Sequence, residues 1–236
     1  MDNFTTTFGN SVADSAPVER AEFIRKTYLW LAAAILGFVA IEALLFLSGA
    51  ASIILAVVSA GGRFGWLAVL AGFMGISYVA NRWAMSDTSS LTQALGLLLY
   101  VVGEAVIFVP MIAIAVYYTG DATVLAKAGI VTIGLFLGLT LTVLITRTDF
   151  SFLAPVLAIG GFVALGYIVA SLLFGFSIGS LFAFIMVAFA GTAILYQTSQ
   201  VLHQFNTRQH VAASLALFAS IALLFWYILS IFSSRR

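Results

Sequence analysis

The chain contains no cysteine, which excludes disulfides, thiol redox chemistry and thiolate metal centres. Charge is nearly as scarce. Only 8% of its 236 residues are Asp, Glu, Lys or Arg, against about 25% in soluble domains. With 63% hydrophobic residues, a soluble fold of this length has no way to hide its apolar surface. The composition implies a polytopic membrane protein. A formal net charge of +1 offers no basic field for nucleic acid. The start of the chain also lacks the pattern of a secretory signal, a basic start followed by a short apolar core and a small-residue cleavage site. Residues 1–27 are instead polar and mixed in charge, with Asp2, Asp14, Glu19, Arg20, Glu22, Arg25 and Lys26. They read as a mobile tail over 1–17 and a helical lead-in over 18–27, ahead of a single membrane domain over 28–236.

What is present is a series of long apolar runs. Seven have spanning length, at 28–48, 65–85, 91–118, 123–146, 152–175, 178–202 and 210–232, where a helix needs about 20 residues to cross a bilayer. Backbone polar groups in hydrocarbon must pair internally, and a helix does this without a partner. The runs are too long and too uniformly apolar for the alternating strands of a barrel. The expected fold is therefore an all-α bundle of seven transmembrane helices. Residues 51–60 are apolar but too short to span, so they read as an interfacial or re-entrant piece. Short links make consecutive helices antiparallel.

Orientation is read from Lys and Arg. One side holds Arg20, Arg25, Lys26, Arg82, Arg147 and Arg208, and the other holds Arg63, Lys127, Arg235 and Arg236. That bias favours a cytoplasmic N-terminus, and seven spans then leave the C-terminus outside, against the pull of the terminal arginines. Small residues spaced by four let helices approach closely in lipid. Gly134 with Gly138, Ala68 with Gly72 and Ala71 with Gly75 fit that spacing and predict packing within the bundle. Pro110, inside the third span, removes one backbone hydrogen bond and predicts a kink.

Few residues carry chemistry. Glu104 lies near the middle of the third span, where a carboxyl is costly and usually faces a bundle interior or a wet cavity. It reads as an ion or proton ligand, or as a neutral carboxyl bonded to a neighbouring helix. Glu42, late in the first span, can reach the interface and reads as a structural, neutral carboxyl bonded to a neighbouring helix. Arg82, beside Trp83, reads as an interfacial anchor or as a latch onto the polar end of the sixth span, Tyr196-Gln197-Thr198-Ser199-Gln200. Gly175-Phe176-Ser177-Ile178-Gly179 matches the G-x-S-x-G pattern, but that motif needs a strand–turn–helix context. Here it is an interhelical turn, and the nearest base, His203, lies roughly 39 Å along the next helix. His203 and His210 flank the last link with no Cys or Asp beside them, so no metal site is expected. No cofactor is implied, and the last span lacks the deep lysine of a retinal protein. No nucleophile and base lie within reach, so the chain does not read as an enzyme.

Three stretches carry a family resemblance. They are Phe23-Ile24-Arg25-Lys26-Thr27-Tyr28-Leu29, Thr146-Arg147-Thr148-Asp149-Phe150-Ser151-Phe152-Leu153, and the closing hairpin from Ile194-Leu195-Tyr196-Gln197-Thr198-Ser199 to Phe225-Trp226-Tyr227-Ile228-Leu229-Ser230-Ile231-Phe232. The chain resembles the Bax-inhibitor-1 family, in particular its bacterial YccA-like branch. The resemblance implies a seven-helix fold with a central last helix, in a bacterial cytoplasmic (inner) membrane. It further implies a pH-sensitive calcium leak, a role in the stress response, and restraint of a membrane-anchored AAA+ protease of the FtsH type. In the family the leak rests on two aspartates, in the last two helices, that share a proton and pair with an arginine. Here Gln197 and Ser220 stand at those two positions and Arg82 stands near the third. Gln and Ser share no titrating proton and offer no anionic charge to a divalent cation. The expectation is thus an ion (calcium or proton) leak with a weakened pH switch, with Glu104, Arg82, Gln197 and Ser220 lining or gating it. The alternative is a membrane partner of a protease or another complex.

Overall fold

The computed structural model describes residues 12–86, 89–177 and 179–234. Among the described residues eight α-helices follow one another: α1 (Pro17–Leu47), α2 (Ala50–Ala60), α3 (Gly62–Ala84), α4 (Ser90–Thr119), α5 (Thr123–Thr146), α6 (Ala154–Phe174), α7 (Ser180–His203) and α8 (His210–Ser233). Seven are long and apolar enough to cross a membrane; α2, with 11 residues, is not. The lead-in is continuous with the first span, and Pro17 opens α1, where its missing N–H costs nothing. The link ends follow local chemistry. Gly120 and Gly175 close α4 and α6 in the left-handed region, at φ 61° and 75°, which glycine adopts without strain. Gly175 follows α6 and Gly179 precedes α7, so the described residues of the G-x-S-x-G pattern lie between two helices; Ile178 lies outside the described residues. α4 continues through Pro110 as one helix.

Seven spans in antiparallel succession put the start of α1 and the end of α8 on opposite faces. The N-terminal face carries the start of α1 and the links α3–α4, α5–α6 and α7–α8. The opposite face carries α2 and the end of α8. The last helix sits at the centre, packed against α1, α3, α4, α5 and α7. α8 is apolar around its whole circumference, the pattern of a helix buried on all sides. Leu215, Leu217, Leu224 and Leu229 are fully enclosed. Small residues at Ala212, Ala213 and Ser214 bring neighbouring backbones close. The Ser214 hydroxyl, 2.7 Å from Thr27 O and from His210 O, ties α8 to α1.

Two expectations are corrected. Residues 12–17 do not belong to a mobile tail. Val12 is fully buried, its N–H donates to Phe205 O at 2.9 Å, and Arg20 Nε donates to Val12 O at 3.0 Å. The part of the expected tail over 1–11, and the arginines at 235 and 236, lie outside the described residues. Nor do the anticipated small-residue pairs make the helix contacts. A Cβ built at Gly72, Gly75, Gly134 or Gly138 meets nothing within 4 Å. The close approach lies on α4 instead. At Gly96 a Cβ would stand 2.7 Å from Ala80 O and from Ala84 N, and at Gly103 it would stand 2.9 Å from Ile76 Cγ2. Seven residues separate these glycines, two helical turns on one face, and α3 seats against that strip.

Candidate functional site

Two cavities flank the central part of α8. The first measures about 750 Å³ and lies among α3, α4, α6, α7 and α8. Glu104, Gln197 and Ser220 all line it, together with Ser77, Asn81 and Tyr100. Glu104 stands at the middle of the 30-residue α4 and is 7% exposed, so the carboxyl is buried midway along its span. It pairs with the Tyr100 hydroxyl, one turn earlier on the same face. Asn81 Nδ2 donates to Ser77 O at 2.9 Å, which leaves its side-chain carbonyl as an acceptor toward the lining. Ser220 donates to Ala216 O at 3.1 Å. Its hydroxyl is thus turned onto its own helix rather than across to Gln197.

The lining runs the length of the helices. On α8 it extends from Leu215 to Ser234, while α7 contributes Ser180, Phe182 and Ala183 near one end and Gln197 near the other. At 1.5 Å per residue the outermost α7 positions lie about 25 Å apart and the α8 stretch covers about 28 Å, close to the roughly 30 Å of a hydrocarbon core. Asn81 and Gln197 mark its end toward the N-terminal face, Glu104 and Ser220 its middle, and Ser180 and Ser234 its end at the opposite face.

Arg82 lies apart from the other three, where its reading as an interfacial anchor places it. It occupies the last turn of α3, is exposed and contributes nothing to this lining; its neighbour Asn81 does. Successive helical residues point about 100° apart, so only one of the two can face the cavity. The polar end of α7 is occupied otherwise. Ser199, fully buried, accepts from Phe150 N at 2.8 Å and donates to Asp149 Oδ1 at 3.2 Å. Gln204 Nε2 donates to Ser151 Oγ at 2.9 Å. The link between α5 and α6, where the family resemblance is most specific, is thereby strapped onto α7. Hydrogen bonds from the Ser151 hydroxyl and N–H, then from Ser199, and the nearby His203 hold the Asp149 carboxyl below its usual range. Beneath this strap the Tyr28 hydroxyl faces Thr140 and Thr198, and none of the three has a hydrogen bond of good geometry.

Tyr100, Ser77 and Asn81 went unread in the sequence. Their signal was spacing: Tyr100 with Glu104 and Ser77 with Asn81 are each one turn apart on apolar helices. Glu42 departs from the reading of a carboxyl bonded to a neighbouring helix. It is 7% exposed, both its oxygens lack a hydrogen-bond partner, and it lines the second cavity, of about 860 Å³. An aromatic wall divides the two cavities. Phe108 makes edge-on contacts with Phe38 at 5.1 Å and Trp226 at 5.0 Å, and stacks on Phe225 at 5.7 Å.

Comparison with known proteins agrees with this architecture. Residues 20–236 match the family model described as inhibitor of apoptosis-promoting Bax1. The uncharacterized protein PA2604 of Pseudomonas aeruginosa is 32% identical over 172 residues, covering 70% of this chain and 72% of that protein. The uncharacterized protein PM0402 of Pasteurella multocida is 32% identical over 167 residues, covering 67% of this chain and 70% of that protein. With the match running from the start of α1 through the central α8, the chain belongs to the Bax-inhibitor-1 family and has bacterial relatives.

Proposed function

We propose that the protein is a non-enzymatic ion leak of a bacterial cytoplasmic membrane, passing calcium or protons along the cavity that holds Glu104. The observation that carries this reading is the lining itself. One cavity follows about 25 Å of helix and places a carboxyl at mid-depth, with amide and hydroxyl groups toward both ends. An intramembrane acid facing such a space marks an ion or proton path. Calcium prefers anionic oxygen ligands, and Glu104 supplies the negative charge that Gln197 and Ser220 lack. Positive residues favour the N-terminal face as the cytoplasmic one.

The test is flux into proteoliposomes carrying an entrapped calcium or pH indicator. The expected result is movement above empty vesicles, lowered several-fold by Glu104→Gln. Absence of flux at every pH tried overturns the leak. Because Gln197 and Ser220 do not titrate, Glu104 is the single carboxyl in this lining among the described residues, and flux is expected to change with pH no more steeply than one proton allows. The double variant Gln197→Asp with Ser220→Asp is expected to steepen that dependence. A steep wild-type response that the double variant leaves unchanged contradicts this account of the switch.

A second reading, a membrane partner that restrains an FtsH-type protease, is supported by the same replacement, since loss of a titrating pair removes the leak's switch while keeping the bundle. A wild-type protein without flux that co-purifies with such a protease in mild detergent selects this reading.

A further inference from the structure

The second cavity is built differently from the first. Its walls come from α1, α4, α5 and α8. α1 and α5 both pack on α8 and make at most slight contact with each other, so a slot separates them on the outside of the bundle. Exposed Val39 and Ala43 on α1 and exposed Ala126 on α5 form its rim. In a bilayer that rim faces acyl chains, so access is lateral, from the lipid. The floor is apolar: Phe38, Ile112, Phe218 and Phe225. Thr132, at one edge, spends its hydroxyl on Ala128 O at 2.8 Å.

Into this space points Glu42, more than nine-tenths buried, with both carboxyl oxygens unpartnered. No other charged residue lines the cavity among the described residues. A carboxyl left so deep in apolar surroundings is expensive. A hydrogen-bond donor carried in by a ligand relieves that cost, and a cation relieves most of it. The volume, about 860 Å³, falls in the range of roughly 300–1,000 Å³ that encloses a drug-sized molecule.

We propose that the α1–α5 slot binds a single-chain lipophilic amine, its ammonium on Glu42 and its alkyl chain on the aromatic floor. The ammonium supplies three donors to the two oxygens, and the chain replaces the lipid tails that otherwise fill the groove. This site stands apart from the leak path, across the wall formed by Phe108, and does not depend on that reading.

The experiment compares dodecylamine with dodecanol, a chain of equal length without charge, on the purified full-length protein in mild detergent, with binding followed by tryptophan fluorescence and by the shift in Tm. The amine is expected to bind about tenfold or more tightly than the alcohol, the scale of one charge-assisted hydrogen bond. Glu42→Gln is expected to erase that preference, and Glu104→Gln to retain it. A second variant leaves the carboxyl in place. A Cβ at Gly129, which lines the cavity, meets nothing within 4 Å, so Gly129→Phe fills the slot and is expected to weaken both ligands. Equal affinity of the wild type for amine and alcohol, meaning acyl chains alone occupy the slot, overturns the proposal. So does a preference that survives Glu42→Gln, or unchanged binding in Gly129→Phe should Glu42→Gln fail to fold.

Discussion

Ser199 shows how one hydroxyl holds two elements together. It accepts from the Phe150 N–H and donates to Asp149, so Ser199→Ala leaves the N–H without its acceptor. The expected cost is about 1 to 3 kcal/mol, read as a lower Tm. Asp121 holds a surface turn by related means. Hydrogen bonds from the Thr123 hydroxyl at 2.6 Å and N–H at 2.8 Å, then from Lys127 at 3.1 Å, push its carboxyl down to about 2. Its folded pKa lies below the unfolded value, so the stability it contributes is complete above pH 3.8 and is lost as pH falls toward 2. The Tm of the wild type is therefore expected to exceed that of Asp121→Asn at neutral pH. That gap should close across this acidic window. A gap that persists to its lower end would contradict the linkage. At this scale the sequence was legible only in part. Glu104 stood out because charges are rare in apolar runs, and Gln197 and Ser220 because the family resemblance sets its two aspartates at those positions. Arg82 could be read as an anchor or as a latch, because a residue's neighbourhood in the chain does not say which way a helix presents it.

Between elements, contact in lipid is decided by backbone approach. Gly96 shows this for α3 and α4. The atoms that a Cβ there would strike, Ala80 O and Ala84 N, belong to the backbone and cannot rotate away. Gly96→Ala is expected to destabilise by about 1 to 3 kcal/mol, as overpacking does, despite alanine's better helix propensity. Gly134→Ala, with open space around it, is expected to be neutral or slightly stabilising. Thermal unfolding of the two variants side by side checks the contrast. A Gly134→Ala protein as unstable as Gly96→Ala would restore the small-residue pair on α5 as a packing site. The four-residue spacing of Gly134 and Gly138 looked like a contact and is not one. The seven-residue spacing of Gly96 and Gly103 is one. Both lie on one helical face, and only the presence of α3 opposite distinguishes them.

Across the whole molecule the organisation is a buried closing helix with a cavity on either side and aromatic rings between. Phe108, 1% exposed, is central to that wall. Phe108→Ala is expected to cost about 3–5 kcal/mol and to join the two cavities. Phe162→Ala, at a position 78% exposed, is expected to change stability by about 0.5 kcal/mol or less. Unfolding in mild detergent separates the two. Orientation can be tested cleanly because the chain has no cysteine. Single variants Arg208→Cys and Lys127→Cys lie on opposite faces. With the N-terminal face cytoplasmic, an impermeant thiol reagent added to whole cells is expected to label Lys127→Cys and spare Arg208→Cys.

The sequence by itself determined the class, the spanning helices and their number. A backbone in hydrocarbon must satisfy its own hydrogen bonds, and the membrane's thickness sets the length of each span. Both constraints act along the chain and are written in composition. What lies beside what was decided only by the tertiary structure. Lipid tails are as apolar as a protein interior, so hydropathy carries no mark of which face turns inward. That is why the burial of Glu42, the exclusion of Arg82 and the seating of α3 on Gly96 and Gly103 emerge only once the helices are packed around α8.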